Sequence, residues 1–85
     1  MYYVYALLSK QNKDLYLGFC QDLRKRFKEH VSGYVKATNK YRPWMLVYYE
    51  AYLSKNDATS REQTIKKNHK VKIDLKKQIK NSLIY

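Results

Sequence analysis

From Tyr2 to Leu8 the chain reads Tyr-Tyr-Val-Tyr-Ala-Leu-Leu, an aromatic and aliphatic run with strand propensity. Ser9 to Asp14 is polar and carries Asn12 and Asp14, residues that favour turns. Leu15 to Phe19 is a second strand-like run. The two runs predict an antiparallel hairpin. If its loop is even in length, Tyr5 and Tyr16 share a face of the sheet. A register centred between Lys10 and Gln11 would set them directly opposite one another.

Asp22 is a suitable cap for a helix running to about Ser32, with Gly33 as its stop. Leu23, Phe27 and Val31 are spaced four apart and predict its buried stripe. Arg26 and His30, also four apart, share a neighbouring face. Gly33 to Arg42 reads as a basic irregular loop, closed to helix by Pro43. Met45 to Tyr52 predicts a third strand. Ser54-Lys55-Asn56-Asp57 has the form of a capping box for a helix containing Ala58, Glu62 and Ile65. Helix-compatible sequence continues from Lys66 to Lys80, with Val71, Leu75 and Ile79 spaced four apart and a break expected near Asn68-His69. The expected order is β-β-α-β-α-α. The expected fold is α+β: a small three-stranded sheet, antiparallel or mixed, flanked by helices, with residues 1–85 forming one domain.

The 85 residues allow only a thin core. Ten tyrosines supply much of its apolar surface, and each keeps a hydroxyl for solvent or ligand. Lys and Arg number 18 against seven Asp and Glu, a net charge of +11. That charge concentrates polyanions near the surface, with nucleic acid the leading partner and an anionic membrane surface the second. The single cysteine, Cys20, excludes an internal disulfide and suits a reducing cytoplasm. The apolar start, Met1 to Leu8, is too short for a membrane span or a secretion signal.

Five short strings carry the chemistry: Tyr3-Val4-Tyr5; Tyr16-Leu17-Gly18; Asp22 to His30, with Arg26 and His30; Thr38 with Arg42 to Glu50; and Arg61-Glu62 with Ile65-Lys66-Lys67. In this order and spacing the chain resembles the GIY-YIG endonuclease superfamily, in its compact stand-alone form, over roughly residues 2–80. The glycine of the first motif is replaced by Tyr3. Asn68 and Asn81 are both available for the late asparagine of larger members. Phe19, after the second-motif glycine, is more similar to the branched-DNA nucleases than to the repair members with lysine there.

The resemblance implies a metal-dependent endonuclease acting on DNA, in repair or in the processing of branched structures. It implies Tyr5, Tyr16, Arg26, His30 and Glu62 as catalytic residues, with Glu62 holding one Mg²⁺ or Mn²⁺ ion. The residue chemistry agrees. Nearby cations would lower the pKa of a tyrosine, so either Tyr5 or Tyr16 could deprotonate water. Arg26 could hold a phosphate oxygen. His30 could orient a tyrosine hydroxyl or shuttle a proton. One carboxylate favours a one-metal mechanism.

Lys25, Lys28, Lys36, Lys40, Arg42, Lys66 and Lys67 could track a phosphate backbone, and Tyr34 and Tyr41 could stack on unpaired bases. The substrate's shape is open, RNA is an alternative to DNA, and specificity would need a protein partner. A membrane partner is not expected, and the oligomeric state is monomer or weak homodimer. Each choice has an ordinary rival: packing tyrosines, a histidine at a helix's negative pole, Glu62 paired with Lys66. The alternative function is a nucleic-acid-binding module that has lost catalysis.

Overall fold

A computed structural model describes residues 1–84. Its elements are β1 (Tyr2–Ser9), β2 (Leu15–Cys20), α1 (Leu23–Val31), β3 (Trp44–Tyr52), α2 (Lys55–Lys67) and α3 (His69–Gln78), then a short 3₁₀ turn, Lys80–Leu83. The sheet is wholly antiparallel in the order β2-β1-β3. The hydrophobic run that predicts the first strand therefore becomes the central one, and Val4 to Ser9 are all buried.

Period-two alternation divides the side chains between two faces. Val4, Ala6 and Leu17 turn toward Ala58 and Ile65 of α2, Leu75 of α3 and Ile79 just beyond it. Tyr5, Leu7, Cys20 and Trp44 turn the other way, toward Leu23 and Phe27 of α1. The sheet thus lies between α1 and the α2–α3 pair. Residue shifts in β3 pairing between Ala6 and Leu7 mark a bulge at Val47, which packs on the α2–α3 side.

The hairpin puts Tyr5 and Tyr16 on one face, as an even loop requires, but not opposite one another. Tyr5 pairs with Gly18, and Tyr16 pairs with Leu7. The turn is held one position further along than a Lys10–Gln11 centre would give. Ser9 fixes it: its backbone N–H donates to Asp14 O, and its hydroxyl accepts from the backbone N–H groups of Gln11 and Asn12.

Helix ends follow the capping chemistry. Asp22 accepts from Lys25 N, Ser54 from Asp57 N, and Asn68 from Val71 N. Asn68 ends α2 and caps α3, which gives the break its position. Gly33 follows α1 with φ +82°. A side chain there would be strained, and its Cβ would sit 2.7 Å from the Arg42 guanidinium.

The buried stripe of α1 departs from expectation. Leu23 and Phe27 are half-buried, but Val31 is 49% exposed and His30 is fully buried. A helix turns by about 100° per residue, so a spacing of four drifts by about 40° at each step. Val31 therefore lies about 80° from Leu23, while His30, seven residues on, returns to within about 20°. The helix needs an inward residue at position 30, and the sequence supplies an imidazole.

Candidate active site

The centre of the site is the Tyr5 hydroxyl. Tyr5 comes from the middle of the central strand and is 1% exposed. Its oxygen lies 2.8 Å from His30 Nε2. Gly18 stands directly across the sheet, and a Cβ at that position would collide with the Tyr5 ring and hydroxyl. The glycine is therefore the space the tyrosine occupies.

His30 Nδ1 lies 2.7 Å from Thr38 Oγ1. The Thr38 hydroxyl in turn donates to Val35 O, and the Trp44 indole N–H donates to Thr38 O at 2.6 Å. Because the Thr38 proton is directed to a carbonyl, Thr38 accepts from His30 Nδ1–H. That assigns the proton to Nδ1 and leaves Nε2 to accept from the Tyr5 hydroxyl. The Arg26 guanidinium lies close enough to the Tyr5 hydroxyl to pull its pKa downward. Tyr5 thus donates to His30, with the Arg26 charge nearby.

These surroundings set the protonation states. Burial lowers the His30 pKa to about 4, and the Arg26 charge adds to the effect. The imidazole is neutral at pH 7. Burial pushes the Tyr5 hydroxyl up to about 12, more than Arg26 pulls it down. A lowered tyrosine pKa was the expectation from nearby cations, and for Tyr5 the balance runs the other way. The reason is depth: the hydroxyl loses its water before it gains its cation. Arg26 is held in its charged form by Tyr5 and by Glu29, whose Oε1 it meets at 3.0 Å.

Tyr16 stands beside this group on the edge strand β2. Its ring meets His30 and Trp44 edge-on, at centroid distances of 5.3 and 6.3 Å. Lys66 of α2 lies over the same ring, 5.9 Å from its centroid. The Lys66 ammonium also meets Glu62 Oε2 at 3.2 Å. A continuous path therefore runs from Glu62 through Lys66, Tyr16 and His30 to Tyr5 and Arg26. The helix pair Glu62–Lys66 and a site role for Glu62 are not rivals in this geometry, because the pairing lysine itself reaches Tyr16.

Two side-chain groups within the sequence strings take on partners that the sequence does not specify. Thr38 and Trp44 fix the imidazole, yet they lie in or beside a loop whose conformation no periodicity specifies. Arg61, next to Glu62, donates from Nε and Nη2 to the Glu50 carboxylate of β3. The hydroxyls of Tyr48 and Tyr52 donate to that same carboxylate. Burial raises the Glu50 pKa, but Arg61 and the two hydroxyls outweigh it and the net shift is downward. This group ties α2 to the sheet one residue from Glu62.

The predicted contact residues come from α1, the loop after it and the end of α2. Lys25 and Lys28 are exposed on α1 and, with Asp22, Arg24, Glu29 and Tyr34, line a shallow hollow. Tyr34 is 84% exposed. Lys36 and Lys40 are exposed on the loop, and Lys40 covers the Tyr41 ring. Arg42 is exposed but tied back to Asn39 O through Nε. Lys66 and Lys67 are exposed at the end of α2. Cys20 is buried, and burial pushes its thiol up to about 11. Among the described residues, no helix is long and apolar enough to cross a membrane.

Comparison with known proteins fits this geometry. A UPF0213 protein of Clostridium perfringens is 42% identical over 84 residues, covering 94% of this chain and 89% of its own. One from Staphylococcus saprophyticus is 38% identical over 66 residues, covering 76% of this chain and 79% of its own. The solution structure of a UPF0213 protein from Bacillus halodurans superposes with a TM-score of 0.58 at 31% identity, covering 93% of this chain and 87% of that one. The profile of the GIY-YIG catalytic domain matches residues 1–76. The chain belongs to the GIY-YIG catalytic-domain family, a nuclease superfamily, and its relatives are the small UPF0213 proteins.

Proposed function

We propose that the chain is a divalent-metal-dependent endonuclease that hydrolyses phosphodiester bonds in DNA, with residues 1–85 acting as one domain. The observation that carries this reading is the buried Tyr5 hydroxyl, hydrogen-bonded to a neutral imidazole and lying near the Arg26 charge. Packing alone would not need a buried tyrosine in that polar company, since a phenylalanine would fill the same space.

The proposed chemistry uses the assigned protons. Water attacks phosphorus and gives a proton to Tyr5 Oη as the Tyr5 proton moves to His30 Nε2. Tyr5 ends neutral, and His30 ends as an imidazolium that, being buried, returns its proton through Tyr5 after the cut. The P–O bond to the leaving oxygen breaks, and that oxygen takes the electron pair. Tyr5 never has to exist as a free phenolate, which suits a pKa near 12. Arg26 offsets charge on the phosphoryl oxygens. Tyr16 lies against His30 and orients the water.

The donor set fits a hard cation. Glu62 offers Oε1, while Oε2 meets Lys66. Among the described residues, no three His, Cys, Asp or Glu side chains converge as a closed metal cage would require. One carboxylate, with water and phosphate oxygens completing the shell, is the pattern of Mg²⁺ or Mn²⁺. When bound, such an ion polarises a phosphoryl oxygen as a Lewis acid.

We place this activity in the cytoplasm, in repair or the processing of branched DNA, with specificity supplied by a protein partner. The test is a panel of labelled branched, flapped, single-stranded and duplex DNAs, with an RNA strand, incubated with Mg²⁺ or Mn²⁺. Wild type should nick at least one. Glu62→Gln should bind that substrate and fail to nick it. If wild type binds but cuts none, the chain is a nucleic-acid-binding module without catalysis.

A further inference from the structure

A second cleft opens where β2, the C-terminal part of α2 and the start of α3 meet. It encloses about 210 Å³ and is lined by Leu15, Tyr16, Leu17, Lys66 and Lys72. Two of these residues already belong to the site: Tyr16 touches His30, and Lys66 pairs with Glu62. Lys72 belongs to nothing described so far. It is half-buried, and among the described residues it pairs with no carboxylate.

A half-buried lysine without a counterion buries its stem and leaves its ammonium open to an anion. Its setting sharpens the point. The first turn of α3 contains no acidic residue, although acids are what the positive end of a helix favours. Lys70 and Lys72 stand there instead. The cleft wall is the outer side of an edge strand, where alternate backbone N–H groups point away from the sheet. The lining residues thus offer two ammonium groups, that of Lys66 shared with Glu62, and a phenol. Leu15 and Leu17 add an apolar wall of the kind a deoxyribose would meet.

We propose that this cleft is a subsite for a phosphodiester group of the substrate strand, next to the one that is cleaved, with Lys72 as its principal cation. The proposal rests on the nuclease reading for the identity of the strand. It extends the contact surface from Lys66 to Lys72 at the start of α3.

The experiment uses the full chain in EDTA, so that nothing is cut. Backbone amide spectra are titrated with inorganic phosphate, and separately with a ten-nucleotide single-stranded DNA at low salt. Wild type should show saturable shifts at Leu15, Tyr16, Leu17 and Lys72 with the oligonucleotide. Lys72→Met keeps the apolar stem and should lose those shifts, and Lys72→Arg should restore them. Lys70→Met, on the same helix, should leave them in place. The salt slope of oligonucleotide binding should fall by about 0.7 in Lys72→Met, the loss of one single-strand phosphate contact.

Equal behaviour of Lys72→Met and Lys70→Met overturns the proposal. So do shifts confined to α1 and the loop, and so does saturation by inorganic phosphate without any by the oligonucleotide. The nicking panel with metal is read independently. Absent nicking with the shifts present removes the nuclease reading and leaves the strand-binding subsite standing. Nicking with no change in Lys72→Met shifts or salt slope does the reverse.

Discussion

Tyr5 and His30, 25 residues apart, share a buried hydrogen bond of 2.8 Å that joins the central strand to α1. The pair is both a packing contact and a proton path, because the assigned tautomer points the phenol proton at the imidazole. Removing either partner strands the other in a dry environment.

Tyr5→Phe should therefore show two effects. Loss of the relay should lower nicking by about 10²–10⁴-fold. Leaving His30 Nε2 unsatisfied should cost about 1–3 kcal/mol of stability. Nicking rates and denaturant midpoints on one preparation check both. A variant that melts lower yet cuts at the wild-type rate would reduce Tyr5 to a structural residue.

Thr38→Val removes one hydroxyl at nearly constant volume. His30 Nδ1 then loses its partner, and the imidazole is free to take the other tautomer, which would turn a proton toward Tyr5. Activity should drop, and its acid limb should move, while Thr38→Ser should recover both. An unchanged pH–rate profile in Thr38→Val would count against a positioning role.

His30 also makes stability depend on pH. Its folded pKa, about 4, lies below the ordinary value of 6.5, so the unfolded chain binds the extra proton first. Stability is complete above pH 6.5 and falls as the pH drops toward 4, by at most about 1.4 kcal/mol per unit. Burial and the Arg26 charge set this direction, against an upward pull from Glu29. Denaturation at pH 7 and pH 5 should show the loss in wild type and a flatter response in His30→Gln. Equal slopes would mean that the imidazole is hydrated.

Arg26→Ala should lower nicking by about 10²–10³-fold while DNA affinity falls only modestly. The reason is the +11 charge, which leaves many other cations in place. Affinity itself should decline with salt at a slope of roughly −4 to −5, as expected for about five neutralised phosphates. Affinity that holds flat up to physiological salt would show that binding is not electrostatic.

Much of the frame is legible in the sequence because it rests on local rules. The three strands follow from runs such as Tyr2–Leu8, and two helix starts from Asp22 and Ser54. The site residues are legible through motif order alone, since nothing local distinguishes Arg26 from Arg24. Periodicity fails at His30, where a spacing of four selects Val31 and helix geometry selects its neighbour. It also fails at Thr38, whose role depends on three partners brought together by a loop. The lowered tyrosine pKa expected from charge fails for Tyr5 because burial depth is a tertiary quantity. Lys72 carries no mark in the sequence, where it is one of many lysines; only the cleft singles it out.

Gly18→Ala should act like a mutation of Tyr5, because the new methyl would occupy the tyrosine's place. Nicking should fall with the Tyr5–His30 contact, and melting should fall as the hairpin shifts. Normal activity in Gly18→Ala would show that β2 can move without disturbing the site.

The same cross-strand pair explains why the chain tolerates Tyr3 where the family's first motif has glycine. Tyr3 is half-buried at the rim, edge-on to Tyr49, with nothing that demands an absent side chain. Gly18 has no such freedom while Tyr5 remains. The two named motifs are therefore not independent words but one lock written twice. A distant homologue that keeps the tyrosine of the first motif is bound to keep the glycine of the second, whereas the first glycine can drift. In a search for such relatives, that pair is the combination to weight.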